Sequence, residues 1–162
     1  MIARALTRGP ASMSSPGARW AVNILALAGA TLLVWSSVIH LQLWSDGYKS
    51  ISVIGPLFLI QGIGGPLLAL AVVALRRVAL LASGALLLAG TAVGLLVSSA
   101  TGLFGFQESL AVPYATTSLA VEFTGAAIFL VAAVAVLASR SRVPVLTSSS
   151  ARSNLFRAAS RS

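Results

Sequence analysis

The stretch WAVNILALAGATLLVWSSVIHLQLW, residues 20–44, decides the fold class, because it contains no Asp, Glu, Lys or Arg. An α-helix rises about 1.5 Å per residue, so about 20 apolar residues cross a hydrocarbon core about 30 Å thick. This stretch is long enough and apolar enough to do so. The sequence therefore predicts a transmembrane helix here.

Three further stretches meet the same requirement, at residues 52–75, 78–100 and 117–139. The chain is 57% hydrophobic and 9% charged, with a mean hydropathy of +0.96, which is far more apolar than an ordinary soluble domain. The sequence thus predicts an all-α fold, a four-transmembrane-helix bundle over residues 20–139, whose surroundings are the lipid bilayer.

The two tails outside these spans are rich in Ser, Ala and Arg and lack a sustained apolar period. Such a composition buries too little apolar surface to order a chain, so residues 1–19 and 140–162 are predicted to be basic and disordered. The apolar run that starts at Ala21 is longer than the core of a secretory signal peptide, and no small-x-small cleavage site follows it. We therefore expect the first span to be retained.

The basic residues lie almost entirely on one side of the predicted bundle, which gives the net charge of +8 a topological meaning. Of the 11 Lys and Arg residues, Lys49 alone lies between the first and second spans. The others lie before the first span, between the second and third, or after the fourth. By the positive-inside rule these segments are cytoplasmic. The sequence predicts a multi-pass protein of the cell (plasma) membrane with both termini inside, and it argues against a nucleic-acid partner.

The chain has no cysteine and a single histidine. The lack of cysteine excludes thiol–disulfide exchange, cysteine-ligated iron–sulfur clusters and c-type haem, and one histidine excludes bis-histidine haem ligation. We therefore expect a non-enzymatic protein with no cofactor, no metal and no catalytic residue.

Three polar side chains are expected to meet in the half of the membrane opposite the cytoplasmic face. At about 1.5 Å per residue, His40, Glu122 and Gln61 lie about 6, 8 and 13 Å below the outer ends of their spans. The inner halves of the spans are mainly Ala, Val, Leu and Gly. This asymmetry predicts an outward-facing polar pocket formed by these three residues, with Asp46 and Tyr48 at its rim.

Each of these residues also has a structural interpretation. A lone histidine near the end of a span is commonly an interfacial or packing residue, Gln61 is placed to bond a carbonyl freed by Pro66, and Tyr48 suits an interface anchor. Glu122 differs, because an ionisable residue inside a span is costly unless it is paired or protonated, and it is a site hypothesis by default. By depth, the expected partner of Glu122 is His40.

Small residues at helical spacing predict how the spans pack. The pair Gly90-xxx-Gly94 permits close backbone approach of a neighbouring helix, which is the usual basis of helix association in lipid. Ser118, Glu122 and Gly125 share one stripe of the fourth span, and this stripe is expected to face the bundle interior.

The run HLQLWSDGYKSISVIGPLFLIQGIGG, residues 40–65, resembles a motif of small four-helix integral membrane proteins of high-GC Gram-positive bacteria. In that family a His-Leu-x-Leu-Trp start, a Gly-Tyr pair and an Ile-Gly-Pro-Leu-Phe-Leu-x-Gln segment recur, and a weaker likeness extends to VEFTGAA around Glu122. The resemblance implies the four-helix fold and the family-type positions His40, Trp44, Tyr48, Gly55, Pro56 and Gln61. The family has no assigned activity, so the resemblance implies no reaction.

Three functions remain open at this point. The first is a membrane protein whose pocket binds a small polar ligand, an ion or a proton. The second is a structural or accessory subunit that packs against a larger membrane complex or forms a homo-oligomer. The third is metal-dependent membrane hydrolysis. Its metal ligands would be drawn from His40, Glu122, Asp46 and Glu108. This function ranks last, because one histidine and scattered carboxylates match no metal-ligand spacing.

Overall fold

A computed structural model describes residues 2–139, and all regular structure within them is helical apart from one isolated bridge between Leu103 and Phe106. The helical elements in chain order are α1 (Ile2–Leu6), a 3-10 turn (Pro10–Ser12), α2 (Pro16–Ser45), a 3-10 turn (Tyr48–Ser50), α3 (Ile54–Leu75), α4 (Val78–Thr101) and α5 (Ala115–Ala138).

Helices α2 to α5 are each long enough and apolar enough to cross a membrane, so the predicted all-helical bundle with four such helices is confirmed for the described residues. The observed ends agree with the predicted spans to within about one turn, and the largest difference is at the start of α2. There Ser15 Oγ accepts a hydrogen bond from the N–H of Ala18 at 3.4 Å, and Pro16 occupies the first helical position. Both features favour a helix start, which the apolar pattern alone does not reveal.

The N-terminal tail was predicted to be disordered over residues 1–19, but the structure forms helix and turn in residues 2–19. Met13 is 3% exposed and belongs to the hydrophobic core. Its carbonyl accepts a hydrogen bond from Arg19 Nε at 2.6 Å, and the carbonyl of Arg8 accepts one from the N–H of Val78 at 2.9 Å. The tail therefore satisfies one of the free N–H groups at the start of α4. The prediction for residues 140–162 lies outside the described residues.

Helix α2 is the centre of the bundle, because it packs along both α3 and α5, while α4 packs mainly along α5. Helices α3 and α4 are joined by only Arg76 and Arg77, with Arg76 in the left-handed region at φ 50°. They nevertheless contact each other little, so they diverge from this turn. We call this end of the bundle the short-turn end. The opposite end, with the loops of residues 46–53 and 102–114, is the long-loop end.

Phe129 of α5 is fully buried where three helices meet. A Cβ added at Gly29 of α2 would lie 2.7 Å from Cε1 of the ring, and one added at Gly84 of α4 would lie 2.6 Å from Cε2 on the opposite edge. The ring therefore fills the space that two glycines leave. It cannot retreat from a new methyl group on one side without approaching the other helix.

Replacing Gly29 or Gly84 by alanine is expected to destabilise the bundle by about 1–3 kcal/mol, the usual cost of overpacking a core. Gly90→Ala is the matched control, because a Cβ there meets nothing within 4 Å and alanine is the better helix former. The free energy of unfolding in one mild detergent would be measured for the wild type and the three variants. Equal losses for Gly29→Ala and Gly90→Ala would show that the ring is not the cause.

Candidate functional site

Glu122 lies on the interior face of α5, as the stripe of small and polar residues predicts. Ser118, Glu122 and Gly125 are all buried, and only 1% of the surface of Glu122 is exposed. The carboxyl group is therefore placed inside the bundle and away from the lipid-facing surface of the helix.

Two serines bind one oxygen of this carboxyl group. Ser36 Oγ on α2 donates to Glu122 Oε1 at 2.9 Å, and Ser118 Oγ, one turn earlier on α5, donates to the same oxygen at 3.0 Å. The second oxygen, Oε2, is buried and makes no hydrogen bond of good geometry among the described residues, although the Thr91 hydroxyl of α4 lies close enough to interact with the carboxyl group. A polar atom in this condition carries a desolvation cost that a ligand or an internal water would relieve.

His40 is buried on α2, with 7% of its surface exposed. Its Nδ1 lies 2.9 Å from the carbonyl oxygen of Ser36. Because a carbonyl oxygen only accepts, Nδ1 carries a proton and donates it. The other ring nitrogen, Nε2, faces Glu122 Oε1 at 3.9 Å, which suits an ion pair when the ring is doubly protonated and is too long for a hydrogen bond. The structure thus places His40 beside the partner expected from its depth.

Gln61 of α3 is the third residue of the predicted pocket, and it is 3% exposed. Its Nε2 lies 3.5 Å from Ser36 Oγ, a long hydrogen bond, and its Oε1 is buried without a partner in the described part of the chain. Its backbone carbonyl accepts from Ser37 Oγ at 3.2 Å. The structure therefore gathers His40, Gln61 and Glu122 around one residue, Ser36.

A cavity of about 350 Å³ lies beside this polar group, which is within the size range of small-molecule sites. His40, Gln61 and Glu122 all line it. Most of its wall is apolar, however, and comes largely from the facing sides of α3 and α4, including Leu57, Phe58, Ile60, Leu86, Leu87 and Leu95. The site is an apolar cleft with a polar group on one wall.

The cleft reaches the lipid-facing surface between α3 and α4. Ile60 and Leu86 line it and are 65% and 73% exposed. Gly90 and Gly94 line it too, and a Cβ at either position would meet nothing within 4 Å. No other helix among the described residues uses the close approach that Gly90-xxx-Gly94 permits, because α3 and α4 diverge and the two glycines form part of the open wall.

The long-loop end of the cleft is covered by aromatic side chains. Phe106 of the α4–α5 loop and Phe58 of α3 line the cavity, and Tyr48 packs on both of their rings, with centroids 5.7 and 5.2 Å away. Tyr48 Oη donates to Glu108 Oε2 at 2.6 Å. The sequence predicts a pocket that opens outward at this end. In the structure the aromatic side chains cover that end, and the cleft opens at the side of the bundle instead.

The environment of Tyr48 keeps its phenol neutral. Partial burial raises the pKa of Tyr48 above its ordinary value, and the hydrogen bond to Glu108 and the negative charge of that carboxylate raise the pKa further. The phenol is thus a permanent donor near neutral pH, and it ties the first long loop to the second. Tyr48 was expected at the rim of the pocket, and the structure places it just behind two lining rings.

Asp46 was also expected at the rim, but the structure does not bring it to the cavity. It is exposed, and its N–H donates to the carbonyl of Gln42 at 3.0 Å, so it ends α2 as the residue after the last helical position. Lys49 Nζ lies 6.0 Å from the centre of the Trp44 ring, which is consistent with these two residues acting at an interface.

Ser36, Phe58 and Phe106 are residues of the site that the sequence patterns do not predict. A signal for Ser36 was present, because it lies four residues before His40 on the same helix face. Phe58 and Phe106 gave no comparable signal, since one is a common lipid-facing residue type and the other lies in a loop without a repeating pattern. Glu108 was considered only as a metal ligand, whereas the structure makes it the acceptor for Tyr48.

The described residues, 2–139, contain no group of three His, Asp or Glu side chains close enough to hold a metal ion. Comparison of the chain with protein-family models, with curated proteins and with solved structures finds no match in any of the three sets. The fold and the site alone therefore define the class: a bundle with four membrane-length helices, a buried carboxyl group and a lateral cleft.

The contact between His40 and Glu122 predicts that their contributions to stability are coupled. Removing either partner leaves the other buried without it. The losses in unfolding free energy of His40→Leu and Glu122→Leu should therefore add up to more than the loss of the double variant. The expected coupling free energy is about 0.5–3 kcal/mol, as for other residues in contact. Unfolding of the wild type, both single variants and the double variant would be measured in the same detergent. Strictly additive losses would mean that the two residues do not interact.

Proposed function

We propose that the chain is a non-enzymatic membrane protein that binds a small ligand in the cleft between α3 and α4. The observation that supports this most directly is Glu122 Oε2, a buried carboxyl oxygen that lacks a partner on a residue lining a cavity of ligand size. Polar groups buried without partners are rare in folded proteins and are commonly completed by a ligand or water. His40 Nε2 also lies 3.9 Å from Glu122 Oε1, which suits an ion pair when the ring is doubly protonated.

The same proposal includes the topology and the membrane. Both termini are cytoplasmic, the long-loop end faces outward, and the membrane is the plasma membrane. The support is the placement of basic residues, since Arg76 and Arg77 occupy the short-turn end together with the N-terminal Arg8 and Arg19, whereas Lys49 alone occupies the long-loop end. The resemblance of residues 40–65 to small four-helix membrane proteins stays a prediction and adds no activity.

The topology can be tested because the chain has no cysteine of its own. Ser50 and Ser14 are both exposed and lie at opposite ends of the bundle. In intact cells a membrane-impermeant thiol reagent is expected to label Ser50→Cys and not Ser14→Cys, and permeabilised cells should show labelling of both. Labelling of Ser14→Cys alone in intact cells would reverse the topology.

A second function, an accessory subunit of a membrane complex, is favoured by one observation. The backbone at Gly90 and Gly94 is open on the lipid-facing side of the cleft, and small residues at this spacing commonly receive a partner helix. A partner polypeptide and a small ligand would then compete for the same wall. A variant that fills the cleft should therefore displace whichever of the two binds there, and the lost molecule identifies the function.

Gly94→Leu is expected to fill the cleft without damaging the fold, because a Cβ there meets nothing within 4 Å. Gly64→Leu is the matched control, since Gly64 is equally open but does not line the cavity. Protein extracted from native membrane in mild detergent would be examined by native mass spectrometry. A small-molecule adduct on the wild type and Gly64→Leu, lost in Gly94→Leu, supports ligand binding. A polypeptide lost in the same pattern supports the subunit function, and identical spectra for all three proteins contradict both.

A further inference from the structure

Two unsatisfied oxygens define the kind of ligand head that the cleft can receive. Glu122 Oε2 and Gln61 Oε1 are buried, lack a donor among the described residues, and belong to residues that line the cavity. The hydroxyl groups of Ser36 and Ser118 are already committed to Glu122 Oε1. The Thr91 hydroxyl lies near the carboxyl group, but it donates to the backbone carbonyls of Leu87 and Leu88 at 3.2 and 2.9 Å. With Glu122 ionised, both oxygens can only accept, so a ligand that completes this wall must supply hydrogen-bond donors, and more than one. A primary ammonium group has three N–H donors and no acceptor.

The charges around the cleft favour the same head group. The cavity-lining residues include the carboxyl groups of Glu122 and Glu108 and no Lys or Arg. A carboxylate removed from water attracts a cation far more strongly than it does at a surface, because the local dielectric is low. Phe58 and Phe106, which line the same cavity, add rings whose faces attract cations.

The remainder of the cleft favours an apolar body. Its walls are leucine, isoleucine and phenylalanine side chains, and its opening lies at Ile60 and Leu86 on the outer surface of two membrane-length helices. A molecule that dissolves in the bilayer reaches this opening sideways, without passing the loops. A water-soluble ion would have to cross apolar surface to reach Glu122.

We propose that the cleft binds a lipophilic amine, with its apolar body between α3 and α4 and its ammonium group at the polar wall formed by Glu122 and Gln61. This inference rests on the proposed function, because it names the ligand class of the same cavity. A phospholipid with an amine head fits less well, since its phosphate would enter a cleft whose lining carries two carboxyl groups and no Lys or Arg.

The test compares two probes that differ in one group, 4-(trifluoromethyl)benzylamine and 4-(trifluoromethyl)benzyl alcohol. Each would be titrated into the full-length protein in phosphatidylcholine nanodiscs near neutral pH, with 19F NMR measuring the protein-bound signal. In Gly94→Leu the cleft is filled, so any remaining signal comes from probe dissolved in the lipid. Gly64→Leu adds the same side chain outside the cleft and serves as its control. Glu122→Gln removes the charge and keeps the shape, and Asp46→Asn removes an exposed carboxylate that does not line the cleft.

The amine is expected to bind the wild type, Gly64→Leu and Asp46→Asn at least tenfold more tightly than the alcohol, with the preference lost in Glu122→Gln. Equal affinities of the two probes for the wild type, both abolished by Gly94→Leu, would overturn the amine assignment and leave the ligand-binding function standing. A signal that Gly94→Leu does not change, for either probe, would overturn both. The unfolding temperature of Glu122→Gln is expected to stay close to that of the wild type. This control shows that the variant is folded when it loses the preference for the amine. Displacement of the amine by added phosphatidylethanolamine would instead assign the site to lipid and overturn the proposal.

Discussion

A carboxyl group inside a membrane-type bundle has to be satisfied by its neighbours, and this requirement at Glu122 organises the centre of the molecule. Ser36 and Ser118 reach the same oxygen from two different helices, and the bond from Ser36 also holds α2 against α5. Each serine lies four residues before a titratable partner on its own helix, Ser36 before His40 and Ser118 before Glu122. Two such pairs facing each other give a compact polar group with no charged residue from the loops. Two of its oxygens, Glu122 Oε2 and Gln61 Oε1, make no hydrogen bond of good geometry among the described residues, and both residues line the cleft.

The cleft itself follows from the connection between α3 and α4 and from the solvent. A turn of only Arg76 and Arg77 keeps the two helices together at one end, but it does not hold them together along their length. In water, exposed apolar walls such as those of Ile60 and Leu86 would drive the helices together. Lipid tails are as apolar as the walls, so within a bilayer no hydrophobic force closes the gap. The aromatic cover at Tyr48, Phe58 and Phe106 closes the long-loop end and leaves the lateral opening.

The sequence predicted the helices well because the constraint on them is simple. A span needs length and a lack of charge, and both can be counted directly from the amino-acid sequence. It predicted the meeting of His40, Gln61 and Glu122 because depth along a helix is proportional to residue number. It failed where the outcome depends on tertiary geometry. Gly90-xxx-Gly94 is equally suited to a close contact and to an open wall, and only the divergence of α3 from α4 decides between them. Likewise, the order of residues 2–19 depends on Met13 finding a place in the core, which no local pattern encodes.

The aromatic ring of Phe129 also limits how closely two helices can approach. Its two edges lie against the Gly29 backbone of α2 and the Gly84 backbone of α4. The width of one phenyl ring therefore sets the smallest distance between these two helices at this level of the bundle. The cleft has no equivalent filling side chain at Gly90 and Gly94. The spacing of α2 and α4 is thus fixed by a side chain, whereas the gap between α3 and α4 is left for a guest molecule to fill.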